Sequence, residues 1–588
     1  MRLLEVVLDR KKYSSKSENM WMIGLCVFSF LVHVIVLNQF KGWLCTGTDE
    51  YLLHAATLTG HDWSGVAGKT NVFGGWGYSL LLVIPFLFTD DILVLSQIAV
   101  VMNALLCALT IPLLYSIGKR VLKEADRRVI LVSALITSLF SSYFLEAAAL
   151  LPEVLLFFLY ILILWLLLNY VDTNKKYWAI LSGLCCGYVY IVHHKMLGVV
   201  IAFVIMAVIR YIKTKDWKGS LCLLLPAAAI IALGAGVDHW LGVKESFDSA
   251  NAVNTYRAAG EKLPEAFSFK GILSMVQNAV GAVWYLLTGT FLIAGFGAVS
   301  LIQKTVLGRQ IRGADKEGHR QPYVFFYGFV LLAAVLMMVS SAVACHRETT
   351  VFDRAELVFY GRYFESVIGI LLFFGLVWLS GIWKEKSRRK DITLVLLLEA
   401  AASVFVYYFT KGSGGSVSDY FGVSAVLFPF SYPNVTFSVI AGSVCFGILA
   451  LVFLYMFTRE EDWYRRAAYV LIAGSFCFIG YNTVDNVKEA YKENASIVNF
   501  PLQNEDFSEM DKYLTYNEVS SVYVYSETGY EAFSFQIFHP DTKVIAVDSM
   551  ADLWDGACEY VILPQDVAGD WAAMEPVMVT TTYVICRL

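Results

Sequence analysis

Apolar runs of about twenty residues recur along this chain, and they fix its solvent before any motif is read. A hydrocarbon core about 30 Å thick is crossed by roughly twenty helical residues at about 1.5 Å each. The first run, Met20–Phe40, is too long for the apolar core of a signal peptide and has no small-residue cleavage site after it, so it reads as a retained span. Further runs fall near 92–117, 128–144, 154–170, 177–193, 196–212, 220–238, 272–303, 322–344, 364–381, 392–409, 434–457 and 467–484. They predict about thirteen spans in all. Tyr78–Phe88 is too short to cross and holds Pro85, so it is expected to be re-entrant or interfacial. Charged residues are only 16% of the chain, against about 25% in soluble domains. The fold class is mainly α, a polytopic transmembrane bundle. A net charge of −5 and the lack of a basic, aromatic-interleaved patch exclude nucleic acid as a partner.

Charge sets the expected orientation. With the N-terminus (1–19) cytoplasmic, the inward segments hold "RKK", "GKRVLKEADRR", "NKK", "RYIKTKDWK", "QKTVLGRQIRGADKEGHR", "WKEKSRRK" and "REEDWYRR". These segments contain most of the Lys and Arg, as the positive-inside rule requires. The membrane domain is then 20–490, with a first external loop at 41–91. The loops at 239–271, 345–363 and 410–433 face outward with the C-terminus.

From 495 to 588 the pattern changes. "SVYVYS", "KVIAV", "EYVILP" and "VMVTTTYVIC" read as strands, while "DFSEMDKYLTY" and "YEAFSFQIF" have helical spacing. The segment is long enough for a small extracytoplasmic α/β domain. It carries no Gly-rich phosphate loop, and it reads as accessory. Cys558 and Cys586 are its only cysteines, either a disulfide or two buried thiols. The sequons at Asn434 and Asn494 matter only in a eukaryotic secretory setting.

The stretch "TGTDEYLLHAATLTGHDWSG" follows the first span directly. Thr48 and Asp49 suit a cap on a short helix through Tyr51, Leu52, Ala55, Ala56 and Leu58, with Glu50 in its first turn. That accounts for one carboxylate. An acidic pair at the edge of a bundle is also costly unless it lines a wet cavity, and such positions are functional by default.

The same residues carry a resemblance. "TDEYLLHAATLTGHDW" and the following "GWGYSLLLVIPF" resemble the first external loop of the GT-C superfamily of integral membrane glycosyltransferases. The nearest likeness is to the protein O-mannosyltransferases and the lipid A aminoarabinose transferases. The Gly-Asp-Trp-like element is Gly60-His61-Asp62-Trp63, with one residue inserted. The resemblance implies transfer of a sugar from a polyprenyl-phosphate carrier to an outward acceptor (a surface glycan, lipid or protein), with inversion. It also implies a multi-pass protein of a plasma membrane, bacterial in type. Asp49 is then the catalytic base and Glu50 its neighbour. The lipid phosphate is already a good leaving group, so the main demand is a base for the acceptor proton. A carboxylate of ordinary pKa, about 4, is ionised at neutral pH.

By the same resemblance Glu153, in "LPEVLLFF", is a second catalytic acid, although Pro152-Glu153 is also a good helix start. Glu146 competes with it. Some relatives add a divalent metal ion, for which Asp49 and Glu153 are the candidates. The carrier phosphate calls for cations. Lys195 with His193 and His194 in "IVHHKMLG", and Arg362 with Tyr363 in "YGRYFES", stand at outward junctions. Arg donates two parallel hydrogen bonds to a phosphate, whereas Lys acts as a point charge. Each can equally be an interfacial anchor. Arg347 and Arg354 are weaker candidates, and His54 and His61 read as polar loop groups.

Two other classes fit parts of the pattern. A transporter or flippase of lipid-linked sugars would place its ionisable groups near the midplane of two repeated halves. Here they sit at span ends, and no repeat is visible. A surface-glycan polymerase or ligase would share the carrier lipid but usually has a shorter external tail.

Overall fold

The structure is a computed structural model, and it describes residues 15–40, 50–66, 75–245, 264, 267–310, 321–345, 352–381, 388–411, 420–426, 435–493, 505–526, 530–549, 553, 557–568, 574–580 and 583–588. Among these, ten helices are long and apolar enough to cross a membrane. The count rises to eleven if Arg127–Ser138 and Ser141–Ala148, bent by 44° at a short break, form one span. The shorter apolar helices Lys176–Val192 and Glu365–Ser380 cover the two remaining expected runs. Counting them as crossings reaches the expected total.

Local chemistry sets several helix starts. The Asp91 side chain accepts from the amides of Leu93 and Val94, capping Ile92–Val121. Asp126 does the same for Arg127–Ser138 through the Arg128 amide. The short apolar segment forms only Ser79–Phe86, with Pro85 inside it.

The run expected at 272–303 is not one helix. It divides into Phe269–Gly289 and Ile293–Gln310, with Phe291 and Leu292 at left-handed φ of 51° and 66°. Asn278 of the first helix bonds the Ala342 carbonyl at one end of Gln321–Ala344. Lys304 of the second lies over the Tyr327 ring at the other end. The pair is therefore one broken crossing. Breaks are tolerated at membrane depth when the freed backbone groups find partners within protein. Here the Leu292 amide donates to the Leu287 carbonyl and the Thr290 hydroxyl to that of Leu286. The Phe291 ring packs among Phe446, Phe453 and Phe476.

Helices approach closely through small residues, as membrane bundles require. A Cβ on Gly297 would stand 1.9 Å from the Leu371 carbonyl oxygen, and one on Gly375 would stand 1.9 Å from that of Ile293. Neither glycine can be replaced without parting the two helices.

The C-terminal segment forms a five-stranded sheet of β1 (Ser521–Tyr525), β2 (Lys543–Val547), β3 (Tyr560–Pro564), β4 (Glu575–Val579) and β5 (Tyr583–Arg587). Their order is β2-β1-β3-β5-β4, with β1 parallel to β2 and β3, and β5 antiparallel to β3 and β4. Helices Glu505–Tyr516 and Tyr530–Phe538 lie where the spacing predicts them. Register places Cys586 opposite Val561, three residues from Cys558, and both cysteines are free and buried. Three residues of strand are about 10 Å, too far for a disulfide.

This domain clasps the loop that follows the first span. The Ala546 amide on the edge strand β2 donates to the Gly65 carbonyl at 3.0 Å. The Trp63 indole, fully buried, donates to the Pro540 carbonyl at 3.0 Å and meets Phe533 edge-on. Lys543 pairs with Asp62 at 2.9 Å. An otherwise unpaired sheet edge is thereby covered.

Candidate active site

Three of the expected site residues converge on a single oxygen. Glu153 opens helix Glu153–Thr173, and its side chain is 1% exposed. Its Oε1 accepts from Lys195 Nζ at 2.5 Å and from Arg362 Nε at 2.7 Å. Lys195 Nζ also reaches the Arg362 carbonyl at 3.4 Å. The cation side chains are themselves 5% and 11% exposed. Two cations thus share one carboxylate oxygen in a place almost without water.

Each member comes from a different local device. Lys195 sits in the short turn His194–Met196 between two apolar helices. His193 caps that turn, its Nδ1 accepting from the Lys195 amide at 3.1 Å. Burial, and then the Lys195 charge, push the His193 imidazole well below its ordinary range, so the ring is neutral and Nδ1 can accept. Arg362 lies in the turn before helix Glu365–Ser380. Tyr363 places its ring 6.0 Å from Lys195 Nζ and 5.0 Å from the Tyr360 ring. His194 turns instead toward Tyr190, ring to ring at 4.7 Å. His193, rather than His194, is the histidine that feels the cluster's charges.

The loop that follows the first span reaches the same end of the bundle. The Gly77 amide donates to the Ile191 carbonyl at 2.8 Å, and the Tyr188 hydroxyl donates to the Gly77 carbonyl at 2.9 Å. A Cβ on Gly77 would lie 2.6 Å from the Val192 nitrogen, so glycine is what allows the loop to seat beside the His193 turn. Tyr78, fully buried, accepts from Asn103, which also bonds the Ala147 carbonyl. Burial, and to a smaller degree the Glu153 charge, hold the Tyr78 hydroxyl well above its ordinary range. Tyr51, next in sequence to Glu50, meets Tyr78 edge-on at 5.3 Å. Helix Glu50–Thr59 is thus joined to the Glu153 neighbourhood through two tyrosines.

Asp49 and Arg347 lie outside the described residues, as do the side chains of Glu50 and Arg354. Glu146 is fully buried, and neither of its oxygens has a hydrogen-bond partner among the described residues. His61 lies 3.7 Å from Asp90 and 3.4 Å from Asp541, bridging the loop to the C-terminal domain. His54 is buried. Among the buried carboxylates that escaped the sequence reading (Glu18, Glu356 and Glu365), Glu365 accepts from the hydroxyls of Tyr285 and Ser424. The acidic residue opening the helix in "RYFESV" was its only local signal.

Among the described residues no group of three or more His, Cys, Asp or Glu side chains is placed to hold a metal ion. Two cations share the Oε1 of Glu153, and its Oε2 has no hydrogen-bond partner among the described residues. Its geometry is that of a counter-ion. Glu153→Gln should therefore leave two buried cations facing each other, at a cost of about 3–5 kcal/mol. Pairing it with Lys195→Met should recover part of that loss. Thermal melts of the detergent-solubilised variants check this, and an unshifted single variant would remove the counter-ion role.

The fold and this site define a multi-pass helical membrane protein with buried charge gathered at one end of its bundle and a small α/β domain at that same end. Residues 88–237 match the family model described as dolichyl-phosphate-mannose-protein mannosyltransferase, a segment containing Glu153 and Lys195. That match bears out the resemblance to the GT-C superfamily of membrane glycosyltransferases. No curated protein matches the sequence. Among solved structures, the chain is similar to ArnT from Cupriavidus metallidurans bound to undecaprenyl phosphate, at 16% identity over 96% of this chain and 97% of that one, with a TM-score of 0.48. It is also similar to arabinosyltransferase EmbB from Mycobacterium smegmatis, at 15% identity over 82% and 43% of the two chains, TM-score 0.40. The archaeal oligosaccharyltransferase AglB from Archaeoglobus fulgidus, in complex with an inhibitory peptide and a dolichol-phosphate, matches at 12% identity over 93% and 70%, TM-score 0.41.

Proposed function

We propose that this protein transfers a sugar from a polyprenyl-phosphate carrier to an acceptor on the outer face of a bacterial plasma membrane. The acceptor is a surface glycan, a lipid or a protein. The observation that supports this most is the buried Glu153–Lys195–Arg362 cluster, which gathers two cations on one carboxylate oxygen. A lipid phosphate is an anion that both cations can meet, and the apolar helices around them suit the polyprenyl chain.

In this reading Asp49 takes the proton of the acceptor hydroxyl as that oxygen attacks the anomeric carbon from the face opposite the phosphate. The glycosidic C–O bond breaks with its electron pair on the phosphate oxygen. Arg362 and Lys195 meet the charge that grows there, in a site where water does not screen it. Glu153 holds both cations at one point, and Glu50 stands beside the base.

The test is release of free polyprenyl phosphate from a panel of lipid-linked sugars, using purified protein in liposomes with acceptor-containing membranes added. Release that requires both protein and acceptor is expected. Movement of the intact lipid-linked sugar across the bilayer, with no carrier released, would overturn the transferase reading in favour of a transporter. Orientation is checked in cells. A cysteine at Asp541, which is exposed on the C-terminal domain, should react with an impermeant reagent. One at Lys213, about 27 Å down helix Leu197–Thr214 from the cluster, should react only after lysis. The opposite pattern would place the site inside.

A further inference from the structure

The backbone that presents Arg362 is fastened at a second point, separate from the cluster. The Gly361 amide donates to the Gly422 carbonyl at 2.7 Å, and the Arg362 amide reaches the same oxygen at 3.4 Å. Glu365 begins the helix three residues after Arg362 and is fully buried. Its Oε1 accepts from the Tyr285 hydroxyl and, at 3.1 Å, from the Ser424 hydroxyl. The Tyr285 oxygen accepts in turn from the Ala425 amide at 3.0 Å. Ser424 also bonds Ser142, and the Tyr143 hydroxyl donates to the Glu365 carbonyl at 3.3 Å. Glycines allow the elements to close on one another. A Cβ on Gly361 would fall 2.0 Å from the Tyr285 ring, and one on Gly422 would fall 2.1 Å from the Tyr360 ring.

One residue thus ties the Arg362 turn, through its carboxylate to helix Phe269–Gly289 and segment 420–426, and through its carbonyl to helix Ser141–Ala148. We infer that Glu365 is a positioning residue for anion recognition. Together with Tyr285 and Ser424, it fixes the backbone of the Arg362 turn so that the guanidinium points at the phosphate. Glu153 orients the Arg362 side chain, and Glu365 orients its main chain. The inference rests on the reading of Arg362 as the phosphate contact.

The role needs an acceptor oxygen at the position of Oε1, not a negative charge there. A glutamine keeps that oxygen, whereas an alanine leaves the buried Tyr285 and Ser424 hydroxyls without their shared acceptor. The probe is a short-chain polyprenyl monophosphate, titrated into the purified protein in detergent. Glu365→Ala should weaken its binding by roughly 10-fold or more, the usual scale for a displaced buried hydrogen-bond partner. Glu365→Gln should recover most of that loss. Tyr285→Phe should weaken binding to a smaller extent, and combined with Glu365→Ala it should add less than its single effect. In the Arg362→Ala background, Glu365→Ala should change residual binding little, because the turn then presents nothing. A merely structural Glu365 would add its full loss in that background too.

The outcomes separate the two readings. If wild-type protein does not bind the probe, the phosphate reading fails and this inference fails with it. If wild type binds and Glu365→Ala binds equally well, the positioning role alone fails. A Glu365→Gln variant as weak as Glu365→Ala would also overturn it, by showing that the charge itself is required. Where Glu365→Ala does not fold, Ser424→Ala and Tyr285→Phe each remove one hydroxyl of the set. Wild-type affinity in both would overturn the inference as well.

Discussion

Arg362→Ala should lose both donor binding and turnover, whereas Arg362→Lys should keep most binding and lose most turnover. Lysine preserves the positive charge but not the planar fork that offers two parallel hydrogen bonds. It also loses the Nε donor that meets Glu153 Oε1 at 2.7 Å, so the new ammonium is no longer oriented by that carboxylate. In the ground state the carrier phosphate needs mainly a charge. In the transition state extra negative charge gathers on the bridging oxygen, and a donor aimed at it is worth about 10²- to 10³-fold in rate. The expected lysine variant thus shows a KM within about 10-fold of wild type and a kcat lower by roughly 10²-fold, the signature of an interaction made chiefly in the transition state. Equal losses in binding and turnover would instead mean that Arg362 contributes uniform binding. Release of polyprenyl phosphate, measured against donor concentration, distinguishes the two.

Asp49→Asn should lower turnover by about 10²- to 10⁴-fold, the usual worth of a positioned general base. Asparagine caps a helix about as well as aspartate does, so helix Glu50–Thr59 and the melting temperature should be little changed. Donor affinity should also persist, since the phosphate is held elsewhere. The informative measurement is single-turnover transfer at saturating donor. Transfer near the wild-type rate would return Asp49 to the role of a cap and leave the reaction without its proposed base.

How much of this was legible in the sequence depended on how local each signal was. The spans were legible because a bilayer imposes length and apolarity residue by residue. Glu153, Lys195 and Arg362 were each legible as polar residues at the end of an apolar run. Nothing local said that two cations would share one oxygen of Glu153, since Arg362 lies 209 residues from it. Glu365 was less visible still, because its partners stand 80 and 59 residues away. The broken crossing at Thr290–Leu292 follows Gly289, a single glycine in a long apolar run and too weak a signal to mark a break by itself. Packing of Phe291 among three other phenylalanines decides that geometry, and such packing is written across the whole chain. The C-terminal segment was read as accessory because its own composition carries no chemistry. Its grip on Trp63 depends on pairing that a linear reading does not reveal.

That grip has a consequence for how the molecule is made. Trp63 and Pro540 are 477 residues apart, and Asp62 and Lys543 are 481 apart. At a synthesis rate of about 5–20 residues per second, the loop following Asp49 emerges on the order of half a minute or more before the strand that it joins. Contacts of such long sequence separation form late, since closing the loop costs chain entropy before the pairing repays it. The loop after the first span is thus among the earliest segments to be synthesised and among the last to acquire its final partners. A ribosome that stalls before β2 would release a chain with a membrane bundle but without the clasp on the loop that carries the proposed base. Synthesis of β2 and closure of the loop that carries the proposed base are, in this architecture, coupled events.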